Sequence, residues 1–409
     1  MDAGRLCLGL PMKIQVHCEE QELGQKAPKK MKETSMIGLT KHAVACAVLL
    51  NVCGAANAQG SVTIYGRMDS GVDAPRSNGS SINRLYSGGS AGSNLGFRGV
   101  ENLGGGLSAV FRLEQGLNLD EGTLAQGGRA FGREASVGLS DTRLGTVQMG
   151  RVPTPYYLVQ SNVDAFIWEG AGGLLSLTRN ISSTTQRQVL PMGVAARQDN
   201  AINYVSPRWG GLEIRGQYSF GEKSATIGRG YGVSGRYQAG SFDLNAGFQW
   251  QEGADNAGSG KVSAMVLGGS YDARFARFFL GTTVEKNSCS TCTGAIARLP
   301  GTSTSEFRLT NVGVRVPFGL FTAIAQFTRV NDRSDYTAST GNRNANWIAF
   351  GGDYDLSKRT RLYFGAARIT NQNGSQYVLG TGTAQAPATL VGSTNGSSRN
   401  IYMGVRHNF

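Results

Sequence analysis

From Ser61 onward, apolar and polar residues alternate one by one in short runs. In 62–72, Val62, Ile64, Met68 and Val72 share one parity, and Thr63, Tyr65, Arg67 and Asp69 share the other. In 107–114, Leu107, Ala109, Phe111 and Leu113 alternate with Ser108, Arg112 and Glu114. Leu212, Ile214, Tyr218 and Phe220 alternate with Glu213, Arg215, Gln217 and Ser219. Phe242, Leu244, Ala246, Phe248 and Trp250 alternate with Asp243, Asn245, Gln249 and Gln251. Successive side chains of a strand point to opposite faces, so each run predicts a strand with one apolar and one polar face. Each run has about ten residues, the length a tilted strand needs to cross a bilayer.

Sixteen such runs are legible: 61–73, 92–101, 106–115, 131–141, 145–152, 199–206, 211–221, 229–238, 241–251, 261–272, 275–286, 306–317, 320–330, 345–356, 360–370 and 399–409. The joins between them differ in length. Short ones include 102–105, 142–144, 207–210, 318–319 and 357–359. Long ones are 74–91, 116–130, 153–198, 287–305, 331–344 and 371–398, with medium joins at 222–228 and 252–260 in the long slots. Short turns on one rim and long loops on the other describe an all-β, sixteen-stranded antiparallel transmembrane β-barrel. An even strand number closes the sheet without a free edge. A soluble β-sandwich, the competing reading, has no need of the alternation in join length.

Composition agrees with this reading. The chain has 409 residues, 40% hydrophobic and 17% charged, with 59 Gly and 10 Pro. Glycine without a G-X-Y period excludes collagen, and 9% aromatics argue against disorder. A mean hydropathy of −0.22 argues against membrane helices but not against a barrel, whose alternating strands average to polar.

The N-terminal part reads as an address. Lys41 and His42 precede an apolar stretch, Ala43 to Val52, followed by Cys53-Gly54-Ala55-Ala56-Asn57-Ala58. This is the grammar of a secretory signal cleaved after Ala58. A lipoprotein signal with Cys53 acylated is the rival, and Val52 is the wrong size for that cut. Residues 31–58 are thus expected to be a signal peptide, 1–30 an upstream extension from a mis-assigned start, and 59–409 the barrel. Removing the seven Lys/Arg and five Asp/Glu of 1–58 from 40 and 28 leaves 33 and 23, a net of +10. Of the 33, 29 are Arg, the cation suited to a fixed wall position that reads carboxylates or phosphates. Secretion and the even spread of these residues argue against nucleic acid as the partner.

The remaining chemistry is sparse. Cys289 and Cys292, in Cys-Ser-Thr-Cys, suit a small loop disulfide outside the cytosol. A zinc site needs two further ligands, and His407 is the one histidine after Ala58, so no metal and no cofactor are expected. His407 also shares the lipid parity with Val405 and Phe409, which makes it a poor catalytic base and argues against an enzyme.

Several segments resemble the Gram-negative general (diffusion) porins of the β-proteobacterial type. Gln59-Gly60-Ser61-Val62-Thr63-Ile64-Tyr65-Gly66 is similar to their mature start. Leu95-Gly96-Phe97-Arg98-Gly99 and Glu101 to Leu107 resemble their first hairpin, and Tyr354 to Thr360 their last short turn. Val405-Arg406-His407-Asn408-Phe409 resembles their terminal strand, whose final Phe is read by the barrel-assembly machinery. The resemblance spans 59–409. It implies an outer-membrane homotrimer passing small hydrophilic solutes and ions, with the third loop folded into the lumen as a constriction. That loop corresponds to 153–198, whose Tyr156, Tyr157, Phe166, Ile167 and Trp168 suit packing inside. A loop of that size is uncommon without a task.

The resemblance also places wall arginines opposite the third loop. Arg133 and Arg197 match two such positions, and a third is occupied here by Asn94. Counting the first hairpin about its turn sets Asn94 beside Arg112 and Glu114. Arg112 then either restores the missing charge or simply pairs with Glu114. Arg67, Arg98, Arg215, Arg236 and Arg315 share the inward parity and are expected to pair with wall acids such as Asp69, Glu213 or Asp243. The constriction is therefore expected to set Arg133, Arg197 and Arg112, with Arg98 on the wall, against Glu114, Asp164 and Glu169. The expected function is passive diffusion with moderate anion preference. The alternative is a structural or adhesive barrel with a plugged lumen.

Overall fold

The computed structural model describes residues 60–180, 186–188, 196–222, 228–253, 260–288, 304–335, 343–384, 386–387 and 389–409. The segment expected to be a signal peptide, and the pair Cys289 and Cys292, lie outside the described residues.

Sixteen long strands form one sheet: β1 (Ser61–Asp73), β2 (Asn94–Gly104), β3 (Leu107–Asn118), β4 (Glu134–Asp141), β5 (Gly145–Pro153), β6 (Arg197–Val205), β7 (Leu212–Ser219), β8 (Gly230–Ala239), β9 (Phe242–Glu252), β10 (Lys261–Asp272), β11 (Arg277–Asn287), β12 (Ser305–Phe318), β13 (Phe321–Asp332), β14 (Arg343–Asp355), β15 (Thr360–Asn371) and β16 (Ser397–Asn408). Each pairs antiparallel with its chain neighbours, and β1 pairs with β16. The sheet thereby closes and has no edge to protect. Every expected strand appears, with bounds within three residues of those read from the alternation.

The apolar parity faces outward. Val62, Ile64, Leu139, Leu267, Ile401 and Met403 are more than half exposed to the surroundings of the isolated barrel, where lipid meets it. Two aromatic bands flank this belt. Tyr237, Phe242, Tyr271, Phe318 and Tyr354 lie near the short-turn rim, and Tyr218, Phe220, Tyr231 and Trp250 near the long-loop rim. Aromatic girdles of this kind, in which Tyr and Trp add a polar end, suit the two membrane interfaces. Among the described residues no helix is long and apolar enough to cross a membrane.

The short turns follow from local side-chain chemistry. Asp141 Oδ1 accepts from the Arg143 and Leu144 amides at 2.8 and 3.0 Å, closing the β4–β5 turn. Ser357 Oγ does the same for Arg359 and Thr360 before β15. In the β2–β3 turn, Asn102 accepts from the Gly104 amide, and Gly104, Gly105 and Gly106 all have positive φ. This turn shifts the hairpin register between Asn102 and Gly104. Asn94 consequently lies opposite Gly116, and Arg98 opposite Arg112. The expectation that Asn94 sits beside Arg112 and Glu114 is thus corrected by three residues.

Three long loops turn inward. Residues after β1 curl back so that Arg84–Ser87 pairs with Ser70–Asp73, and the following Gly88–Gly92 enters the lumen. Asp69, with no exposed surface, gathers the amides of Gly89, Ser90 and Ala91 at 2.8–3.0 Å and the Tyr363 hydroxyl at 2.7 Å. The third loop starts with α1 (Pro155–Gln160), capped by Thr154 and opened by a proline at the first helical position. It then runs along the inner wall of β9–β15. The last loop, counted in the sequence only as a long join, also turns inward: its Tyr377–Leu379 pairs antiparallel with Leu177–Arg179 of the third loop, and Tyr377, Val378 and Leu379 are fully buried. Gly170 N–H donates to Gly89 O at 2.7 Å and Gly382 N–H to Gly170 O at 2.9 Å, so the three loops meet at backbone contact.

A groove of glycines receives the third loop. A Cβ on Gly247, Gly268, Gly281, Gly313 or Gly351 would lie 2.5–3.0 Å from Val159, Val163, Ala165 or Phe166. These glycines sit on β9, β10, β11, β12 and β14. Their missing side chains let loop and wall approach closely, and apolar wall residues such as Leu309, Ile324 and Trp347 pack around Phe166 and Leu174. Asn311 Nδ2 donates to Val163 O at 2.7 Å, and Gln326 Oε1 accepts from the Ala165 amide at 2.9 Å, so the loop backbone is satisfied by the wall.

Candidate functional site: the waist of the channel

The tip of the third loop is built around Asp164. Its carboxylate accepts from the amides of Phe166, Trp168 and Leu174 at 3.0, 3.1 and 2.8 Å, and from Gln326 Nε2 at 2.9 Å. This ring of donors holds Ile167 and Trp168 at φ of +54° and +67°. A β-branched residue there is a genuine backbone outlier, of the kind that persists where the surroundings over-determine it. The result is to present Ile167, Trp168 and Glu169 to the lumen.

These side chains line a cavity of about 320 Å³ with Tyr157, Arg67, Arg133 and Arg406, and with Ser90, Gly92 and Thr383 of the other inward loops. Ile167 and Ser161 also line a second cavity of about 300 Å³ toward the short-turn rim, bounded by Arg236, Arg274, Arg277, Arg315, Asp243 and Asp272. Ile167 therefore stands at the junction between the two.

The charges are individually held. Arg406 Nη1 donates to Glu169 Oε1 at 2.6 Å and to Ser90 Oγ at 2.7 Å. Arg133 is ion-paired to Glu114, which also accepts from the Tyr65 hydroxyl at 2.9 Å. Arg67 lies directly across from Asn94 and donates to Asn408 Oδ1 at 3.1 Å. Arg197 stands behind Arg133. It donates to the Arg133 carbonyl at 2.8 Å, and its guanidinium lies 5.2 Å from the Tyr157 ring centre. Burial dominates the two loop acids, raising the pKa of both. The hydrogen bonds of Asp164 and the guanidinium beside Glu169 oppose that effect.

The structure thus brings Arg133, Glu114 and Glu169 to the waist, with Arg197 adjoining. It sets the other sequence candidates elsewhere. Arg112 pairs with Glu134 at 3.2 Å rather than with Glu114, and does not supply the charge missing at Asn94. Arg98 lies beside the Tyr65 ring at 5.5 Å, away from both cavities. Asp164 is fully buried and spends its charge on the loop tip. Arg215 and Arg236 pair with Glu213 and Asp243 as expected, whereas Arg315 is held by Asp353.

Arg406 was missed. It faces Asp69 across the β1–β16 seam, and its inward parity is legible from the outward Val405, His407 and Phe409. Arg67 was read as an ordinary wall residue, yet it occupies the position across from Asn94. Phe409 exchanges both backbone hydrogen bonds with Gly66 at 3.1 Å, and its ring lies where a Gly66 Cβ would be.

Residues 43–374 match the Gram-negative porin family. An outer membrane porin protein of Bordetella pertussis is 28% identical, covering 80% of this chain and 93% of its own. Outer membrane porin protein 32 of Delftia acidovorans is 28% identical, covering 91% and 100%. Among solved structures, the anion-selective porin from Comamonas acidovorans superposes with a TM-score of 0.69 at 26% identity, covering 86% of this chain and all of that one. The match over most of the chain, the closed barrel and the inward third loop together place this protein in the Gram-negative porin family, as an integral β-barrel of the outer membrane.

Proposed function

We propose that the chain passes small hydrophilic solutes and ions by passive diffusion and favours anions. The observation that carries this reading is the sign of the lumen walls. Three arginines face one glutamate at the waist, and four arginines face two aspartates in the cavity below. Adding buried Asp69, partly buried Glu114 and Arg197 gives four arginines against three acids, so the waist stays positive. Confinement between low-dielectric walls makes these charges count for more than the rim, whose field is screened within about 8 Å at physiological salt. The anion selectivity named for the Comamonas porin supports the same sign.

Zero-current potential across a planar bilayer in a KCl gradient tests it. Wild type should reverse on the anion side, and Arg67→Gln with Arg133→Gln should move the potential toward cations. A wild-type reversal on the cation side would sink the reading.

The same proposal makes the protein a homotrimer that performs no catalysis. It enters the membrane through the assembly machinery that reads Phe409, after cleavage at Ala58. The homotrimer rests on the family resemblance, cleavage after Ala58 on the small-residue pattern that ends there, assembly on the terminal-strand pattern, and the lack of catalysis on the His-poor composition.

A further inference from the structure

Anion preference alone needs only positive charge, yet the waist is half apolar. Tyr157 and Trp168 lie with ring centres 4.5 Å apart, and Ile167 and Leu175 complete that wall. Ile167 is 43% exposed and carries a strained backbone, so an apolar side chain is held in the solute path at a conformational cost. Facing this wall are the guanidinium groups of Arg67, Arg133 and Arg406. A volume of about 320 Å³ lies at the lower end of the range that holds small-molecule ligands. Small inorganic anions and short carboxylates use the arginines and leave the aromatic wall in contact with water.

We propose that the waist is a binding subsite for aromatic carboxylates, and that Tyr157, Ile167 and Trp168 are its specificity-determining residues. The carboxylate sits at the arginines and the ring against the aromatic wall, where it displaces water from apolar surface. Arginine is suited to the first contact because its planar fork matches a carboxylate. Neither half suffices alone. An uncharged ring forms no ion pair with the arginines, and acetate has no ring to lay on the wall. The inference rests on the anion-preferring reading above and adds a solute class to it.

The test uses the purified outer-membrane protein in planar bilayers, with KCl current titrated by benzoate, acetate and benzyl alcohol. Benzoate should half-block at a concentration at least tenfold below acetate, equivalent to about 1.4 kcal/mol. Benzyl alcohol should not block in that range. Trp168→Ala should bring benzoate and acetate within about twofold of each other, and Trp168→Phe should restore most of the gap. Equal half-blocking by benzoate and acetate in wild type overturns the inference, whether or not the Trp168 variants assemble. So does a benzoate preference that survives Trp168→Ala. The two readings fail separately. Reversal on the cation side rejects anion preference, whereas anion-side reversal with equal half-blocking rejects the aromatic subsite alone.

Discussion

Replacing Asp164 with Asn separates a structural acid from a field-bearing one. The side chain keeps its size, and one oxygen becomes an amide. Oδ1 serves Phe166 N–H and Gln326 Nε2, while Oδ2 serves the Trp168 and Leu174 amides. Whichever way the Asn is turned, two donors lose their acceptor and face an NH₂ group. Asp164 has no exposed surface, so water does not replace the lost oxygen without the tip opening. A buried donor left unsatisfied costs about 1–3 kcal/mol, which gives about 2–6 kcal/mol for the pair. At about 1.4 kcal/mol per factor of ten, the seated tip becomes at least roughly twentyfold less favoured. The barrel wall does not depend on these bonds, so the expected outcome is a folded channel with a loosened waist. Single-channel recordings should show greater open-channel noise and excursions to higher conductance. If Asp164 instead acted on passing ions, the recordings would stay quiet and the zero-current potential would move toward anions. That second pattern would refute the structural reading.

Four further outcomes are expected. Burial raises the pKa of Glu169, so on acidification it should lose its charge at a higher pH than an ordinary carboxylate. Loss of that negative charge leaves the waist more positive, so anion preference should grow as pH falls; Glu169→Gln should show the higher preference at neutral pH and a flat profile. Gly313→Val places a branched side chain where even a Cβ lies 2.5 Å from Ala165, and should unseat the third loop, read as higher conductance with the barrel still heat-modifiable on gels. Deleting Phe409 should lower the folded protein in outer-membrane fractions while export to the periplasm continues, and unchanged membrane levels would count against its role. Cys289→Ser should leave conductance as in wild type, since the alternation of the sequence assigns the pair to the long join 287–305.

The barrel was legible because lipid and lumen each impose one parity on the strands. Val62, Ile64 and Val72 answer to lipid, while Arg67 and Asp69 answer to the lumen, and no distant contact is needed to see it. Register was not legible at the first hairpin. Its extent is set by the Asn102 side chain and three glycines at positive φ, which shift the pairing by a distance that alternation does not record. The inward course of the last loop escaped for a similar reason. Tyr377-Val378-Leu379 is apolar, but a run of three has no period, and its partner strand lies some two hundred residues earlier. The waist arginines were half legible. Arg133 was found through family position, whereas Arg67 and Arg406 matter because closure of β1 against β16 brings them together. Asp164 was read by its charge, but its neighbours decide what that charge does.

The glycine groove also fixes an order of events. The loop that fills it comes before β9 to β14 in the chain, yet the groove exists only once those strands stand side by side. Loop seating must therefore follow formation of the wall. An assembling barrel passes through a stage with its strands paired and its lumen still wide, and the waist narrows afterwards as Val159, Val163, Ala165 and Phe166 dock. Permeability is therefore set by the docking of the loop and not by strand pairing alone. Small residues along the inner wall leave the loop's track unobstructed, so the docked loop meets the wall without displacing side chains.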